Sequence, residues 1–168
     1  MPDLIPPTER LHDAWLKAHA EWGEGLHEDG FGLLPTDEVK SEAGFAVWVA
    51  RLAEDSTQCT YRWIIEGDYV LGGIALRHEF NNVVQWAGHI GFGIRPSARR
   101  RGLASWALGR MVKEARVLGM DRLLLVCEAG NNASAKTIER HGGILEDEGA
   151  GQNSAAWRYW IGVTEPGT

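Results

Sequence analysis

Three consecutive arginines, Arg99-Arg100-Arg101, stand between a proline and a glycine in the stretch Gly91 to Ser105, GFGIRPSARRRGLAS. The spacing Arg99-x-x-Gly102-x-Ala104 falls where an apolar, strand-like run stops at Pro96 and a helical pattern begins. A helix start leaves its first backbone N–H groups without intrahelical acceptors and carries a partial positive charge. Both favour a phosphate group at that point. Glycine at position 102 lets the main chain approach an anion closely. Ala104 is too small to obstruct it, and the arginines supply charge and forked donors. The chemistry these residues suit is recognition of a phosphate-bearing ligand. A helix start with a solvated arginine cluster carries the same pattern. No GxxxxGK[ST] loop and no GxGxxG strand-turn-helix unit is present.

The elements that must position this turn are legible from periodicity. Thr8 to Trp22 reads as a helix capped by Thr8, with Leu11, Ala14, Trp15, Ala18 and Trp22 on one face. Glu21 to Leu34 is Gly-rich and acidic, a loop. A second helix is predicted from Thr36, as cap, to Ala53, with an apolar stripe of Val39, Ala43, Ala46, Val47 and Ala50. Thr60–Glu66 and Tyr69–Arg77 read as strands of a hairpin turning at Gly67-Asp68. Leu4-Ile5 would be a short first strand, against which Pro6-Pro7 argues. Residues 77–83 read as a turn and Trp86–Arg95 as a third strand, in which Gly91 and Gly93 suggest a bulge or a close backbone approach.

Ala98–Leu118 gives the strongest helix, with Ala104, Ala107, Leu108, Met111, Val112 and Ala115 on one side. Arg122–Cys127, RLLLVC, fits a strand buried on both faces. A short helix capped by Asn131 or Asn132 then runs to His141-Gly142-Gly143. Ile144–Glu148 and Ala156–Val163 close the chain as a hairpin. The order α-α-β-β-β-α-β-α-β-β describes a mixed α/β fold.

At 168 residues, 44% of them hydrophobic, the chain fits one domain over 1–168. No run approaches the roughly 20 apolar residues a bilayer span needs, and no basic segment followed by an apolar one opens the sequence, so no membrane association is expected. Cys59 and Cys127 lie far apart and match no metal-ligand spacing, as in a reducing cytoplasm. Residues 1–60 hold twelve acidic residues against four Lys or Arg, a net −8. Residues 95–116 hold seven Lys or Arg against one acid, a net +6. One basic spot on an acidic protein suits a compact polyanion and argues against nucleic acid, which favours a broad basic face.

Ile94-Arg95-Pro96 followed by Arg99-Arg100-Arg101-Gly102-Leu103-Ala104 resembles the pyrophosphate loop of the GNAT superfamily of N-acetyltransferases. A second signature of that family follows one helix and one strand later, as Asn131-Asn132-Ala133-Ser134 with Gly142-Gly143 after the helix. The resemblance spans residues 60–163. It implies a central, mostly antiparallel twisted sheet with splayed middle strands, flanked by about four helices. It implies acetyl-CoA as co-substrate, with its pantetheine arm against Phe92-Gly93-Ile94 and its pyrophosphate on the N–H groups from Arg100 through Gly102, Leu103 and Ala104 to Ser105. Arg99 and Arg101 flank that site, while Asn131 and Ser134 line the opposite wall.

The reaction so implied is direct attack of an amine on the thioester, with an oxyanion donor near Ile94. The family often places a tyrosine four residues after the serine; here Ile138 stands there. Ser134 or Tyr159 would then supply the proton, although a thiolate of pKa near about 8.5 can also leave unaided. Candidates for the base are His89, Glu79 with its neighbour His78, and Glu128, with His89 favoured because histidine titrates in the right range.

Acceptor contacts in the family come from the N-terminal helices and the late hairpin. Glu21, Glu24, Glu28 and Asp29 therefore suggest a cationic amine, on a small molecule or a peptide. Trp15, Trp22, Trp48 and Trp86 would mostly pack the core. A non-catalytic acyl-CoA sensor is the alternative, and family members are often homodimers.

Overall fold

The computed structural model describes residues 1–23, 30–146 and 156–163. Two antiparallel sheets form the frame. In the first, β1 (Asp3–Ile5), β2 (Cys59–Glu66), β3 (Tyr69–Arg77) and β4 (Ile90–Ile94) lie side by side in that order. In the second, β5 (Arg122–Glu128) pairs with β7 (Ala156–Gly162), and β7 with β6 (Ile144–Leu145). An isolated bridge between Gly88 and Leu125 joins them. The middle strands β4 and β5 therefore belong to separate ladders, as expected for splayed strands.

Five α-helices are described: α1 (His12–Trp22), α2 (Glu42–Glu54), α3 (Asn82–Ala87), α4 (Leu103–Val117) and α5 (Asn132–Arg140). Side chains along β2 and β3 alternate between two cores, as the pleat requires. Ile64, Ile74 and Leu76 join the buried face of α4, with Ala107, Leu108 and Met111, and extend to Leu123, Leu125 and Ile138. Trp63 and Val70 join an aromatic core under α1 and α2, where Trp15, Phe31, Phe45 and Trp48 meet. The first sheet is thus filled between two helical layers.

Thr8 caps the N-terminal helix as its spacing predicts, its hydroxyl accepting from Arg10 N–H, although the first turn is a 3-10 turn over Glu9–Leu11. Gly67, at φ 60, makes the β2–β3 turn, with Glu66 paired to Tyr69. Several expectations are corrected. The short β1 forms despite Pro6-Pro7, because Asp3–Ile5 pairs with Trp63–Ile65 before the prolines begin.

The second helix starts at Glu42, not Thr36: Ser41 Oγ accepts from Gly44 N–H at 3.0 Å, and the Glu38 carboxylate in turn accepts from Ser41. Its buried face carries Phe45, Trp48, Val49 and Leu52, while Val47 is 71% exposed. Two aromatic rings bury more apolar area than the alanine stripe could, so they decide which face turns inward. The third strand begins at Ile90, not Trp86. Asn81 Oδ1 accepts Val84 N–H at 3.0 Å and starts α3, which ends at Gly88 with φ 87. Trp86 lies on that helix and is exposed, whereas Trp15 and Trp48 are core and Trp22 packs at its edge.

Gly91 and Gly93 sit at a close backbone approach. A Cβ on Gly30 would lie 2.9 Å from the Gly91 carbonyl oxygen, and one on Gly72 would lie 2.3 Å from that of Gly93. The bulge falls instead in the β2–β3 ladder, at Ile64/Ile65. No described helix is long and apolar enough to cross a membrane.

One contact bolts α1 to the turn after β4. The Glu21 carboxylate accepts from Ser97 N–H at 2.7 Å, from the Ser97 hydroxyl at 2.8 Å and from Arg95 at 3.1 Å. The Ser97 N–H, then Arg95 and the Ser97 hydroxyl, hold the Glu21 carboxyl down at about 2, against the opposing effect of burial. A depressed carboxyl pKa stabilises the fold fully above the ordinary value of 4.5 and is lost as pH falls from there towards 2. Glu21→Gln is expected to lower stability by about 1–2 kcal/mol at neutral pH, with the gap to the parent narrowing below pH 4.5 and closing only near pH 2 in thermal melts. On α2, Trp48→Ala is expected to cost about 3–5 kcal/mol in urea unfolding. Val47→Ser should change stability by less than about 0.5 kcal/mol.

Candidate functional site

The basic turn occupies the junction its sequence predicts. After β4, Pro96–Ala98 makes a single 3-10 turn, Arg99 is extended, and α4 starts at Leu103. Arg100, at φ 65, and Gly102, at φ 76, both adopt the left-handed conformation. Gly102 is the N-cap residue, and no side chain caps the helix. The first intrahelical bond runs from Trp106 N–H to the Gly102 carbonyl at 3.0 Å. The amides of Leu103, Ala104 and Ser105 thus precede the helical ladder. A Cβ placed on Gly102 would find open space within 4 Å. Its glycine identity therefore answers to the left-handed backbone, not to internal crowding.

The three arginines do different work. Arg99 Nε donates to the Ile94 carbonyl at 3.0 Å, fastening the end of β4. Arg101 donates to both oxygens of Glu66, at 2.9 and 3.0 Å, and so faces the β2–β3 hairpin; this contact lowers the Glu66 carboxyl pKa. Arg100 is exposed. Ser105 is held from below, because His141 Nε2 donates to its carbonyl at 2.8 Å and lies 3.0 Å from its hydroxyl.

The flanking walls are β4, where Phe92 and Gly93 are half-buried and Ile94 is buried, and β5, whose Val126 and Cys127 are half-buried. Burial, then Glu139, pushes the Cys127 thiol pKa up. Asn131 Oδ1 caps α5 by accepting Ser134 N–H at 3.2 Å, and Ser134 is half-buried.

The proton-transfer candidates separate. His89 is 4% exposed; its main-chain N–H donates to the Leu124 carbonyl at 2.6 Å, and its Nδ1 accepts Leu124 N–H at 2.9 Å. The expectation that it is the base is corrected on this geometry. With Nδ1 accepting, the neutral ring carries its proton on Nε2 and keeps no free lone pair. Burial first, then Arg77 and Arg122, pulls its pKa down to about 4. His78 is likewise engaged, by Thr60 Oγ1 at 2.7 Å and the Thr57 carbonyl at 3.1 Å. Glu79 and Glu128 are exposed. Tyr159 is 3% exposed and donates to Glu139 at 3.0 Å; burial and that carboxylate push its pKa up to about 12. Ile138, where the family often has tyrosine, is buried.

Glu21 belongs to α1 and is occupied by Ser97 and Arg95, so it is not a free acceptor-loop acid. Glu24, Glu28, Asp29 and Glu148 lie outside the described residues. Sequence reasoning missed Glu66 and His141 as supports of the basic turn. The one trace of His141 was a glycine inside α4: a Cβ on Gly109 would lie 3.1 Å from its ring.

No curated protein matches this chain in sequence. Solved structures match it in fold. RimJ of Mycobacterium smegmatis, in complex with CoA-disulfide, superposes with a TM-score of 0.71 at 16% identity, covering 96% of this chain and 81% of that one. The microcin C7 self-immunity acetyltransferase MccE, in complex with acetyl-CoA and AMP, gives 0.69 at 14% identity, with 96% and 92% covered. A Salmonella typhimurium acetyl transferase that modifies the N-terminal serine of ribosomal protein L7/L12 gives 0.68 at 17% identity, with 96% and 94% covered. The family model for the acetyltransferase (GNAT) domain matches residues 4–144, most of the chain. With its splayed middle strands and the glycine turn that opens α4, the chain belongs to the GNAT acetyltransferases.

Proposed function

We propose that this chain is an N-acetyltransferase that moves an acetyl group from acetyl-CoA to a primary amine by direct attack in a ternary complex. The observation that carries this reading is the start of α4, where left-handed Arg100 and Gly102 precede the helix and no side chain caps the amides of Leu103, Ala104 and Ser105. In this reading the amides from Arg100 to Ser105 receive the pyrophosphate, with Leu103 and Ala104 at its centre. Arg99 and Arg100 add local charge, and Arg101 acts from its pairing with Glu66. Phe92, Gly93 and Ile94 flank the pantetheine arm and thioester, opposite Asn131 and Ser134. The likeness in fold to acetyltransferases solved with acetyl-CoA supports the choice of donor.

A main-chain N–H of β4 would stabilise the oxyanion as the amine attacks. The amine must lose one proton and the departing thiolate gain one. Glu128 and Glu79 are the exposed carboxylates available as base. Ser134 and Tyr159 are the candidate hydroxyls for the acid; Tyr159 holds its proton at neutral pH and would act only by giving up its bond to Glu139. The acceptor is cationic, on a small molecule or a peptide, because residues 1–60 carry a net −8 from twelve acids and four bases. We read residues 1–168 as one domain working in the cytoplasm, where Cys59 and Cys127 stay free thiols. A second reading, an acyl-CoA sensor without turnover, is favoured by one observation, the buried Ile138 in the usual tyrosine position.

Release of free thiol from acetyl-CoA across a panel of amines distinguishes the two; no release with any amine would favour the sensor. Gly102→Val is expected to weaken acetyl-CoA binding at least about tenfold, about 1.4 kcal/mol, while circular dichroism stays that of the parent. Unchanged affinity in calorimetry would dismiss this turn as the pyrophosphate site. Tyr159→Phe is expected to lower kcat by about a hundredfold with acetyl-CoA affinity unchanged, if Tyr159 is the acid. An unchanged kcat leaves the role to Ser134 or to unaided departure.

A further inference from the structure

Among the described residues, the main chains of the two sheets meet at one pair, Gly88 and His89. A Cβ on Gly88 would lie 2.8 Å from the Leu124 carbonyl oxygen and 3.1 Å from Val126 N, so the main chains meet with no room for a side chain. The next residue takes up both backbone polar groups of Leu124: its N–H donates to the carbonyl and its ring accepts the N–H. The imidazole acts here as a substitute for a main-chain carbonyl. It is fixed from both sides, since the His89 carbonyl accepts from Arg77 N–H at 2.7 Å and its ring packs 5.9 Å from that of Phe80. Phe80 in turn stacks on Trp160 of β7. Among the described residues, β4 is laddered beyond this junction only to β3, and β5 only to β7.

We infer that His89 is a positioning residue, whose ring clamps β5 to the start of β4 and thereby sets the opening between the strands that receives the acyl-CoA arm. The inference deepens the function proposed above and rests on it. Leu124 is fully buried, so its N–H has no water to turn to once the ring is gone. Relief comes only by shifting β5, and a displacement of about 1 Å in a reacting geometry can cost about a hundredfold in rate. The role requires an acceptor at one position and no proton transfer, which separates it from a base.

The test uses acetyl-CoA and the best amine found for the parent. His89→Asn places an amide oxygen the same number of bonds from the backbone as Nδ1 and cannot act as a base. It is expected to keep kcat and the KM for acetyl-CoA within about threefold of the parent. His89→Leu fills the space without an acceptor; its KM for acetyl-CoA is expected to rise about tenfold or more, and its Leu124 amide to exchange faster with deuterium. If the leucine variant fails to fold, His89→Gln, whose acceptor sits one bond too far, replaces it with the same expectation. An asparagine variant as impaired as the leucine or glutamine one overturns the inference, as does a leucine variant with parental constants. Failure of the parent itself to bind acetyl-CoA in calorimetry overturns the functional reading instead, and with it this inference.

Discussion

A helix that begins without a side-chain cap exposes several N–H donors at once, and such an arrangement persists only if the surrounding chain holds it open. The start of α4 is held from four directions. Arg99 ties the turn to the end of β4, and Glu21 grips Ser97 and Arg95 from α1. Arg101 reaches Glu66 at the β2–β3 hairpin, and His141 holds Ser105 from the end of α5. Each anchor comes from a different element, spread from α1 to the end of α5. The left-handed backbone at Arg100 is sustained by these anchors, since a side chain gains nothing locally from that conformation.

The same economy governs the sheets. Had β4 and β5 been laddered along their length, their main-chain groups would satisfy one another and leave nothing for a ligand. They separate after a single junction, while one core under α4 and α5 runs beneath both sheets. The aromatic cluster under α1 and α2 secures β2 and β3 from one side, and the α4–α5 layer secures both sheets from the other. A gap between strands is thereby compatible with a well-filled core on each side of it.

Where the sequence was informative, local chemistry and periodicity agreed. The β2–β3 hairpin, the apolar face of α4, the buried run of β5 and the Asn131 cap were all visible as patterns. The turn before α4 was visible because proline, arginines, glycine and a helical pattern coincide within a few residues. What escaped reading depended on partners distant in sequence. The stripe of alanines on α2 has the right period but loses to Phe45 and Trp48, whose value appears only when Trp15 and Trp63 are brought beside them. Trp86 has strand-like neighbours, yet Asn81 bends the segment into α3. His89 looked like a base because its type suits that role; only the Leu124 main chain, 35 positions away, reveals that its lone pair is spent. Glu21 looked like a loop acid because Ser97 and Arg95 lie far along the chain.

Gly109 is an unfavourable choice in the middle of a helix, by about 1 kcal/mol relative to alanine. It leaves a notch into which the His141 ring settles, joining the first turn of one helix to the last turn of another. The opening of α4 and the end of α5 are in this way joined directly, with two residues separating His141 from the start of β6 at Ile144.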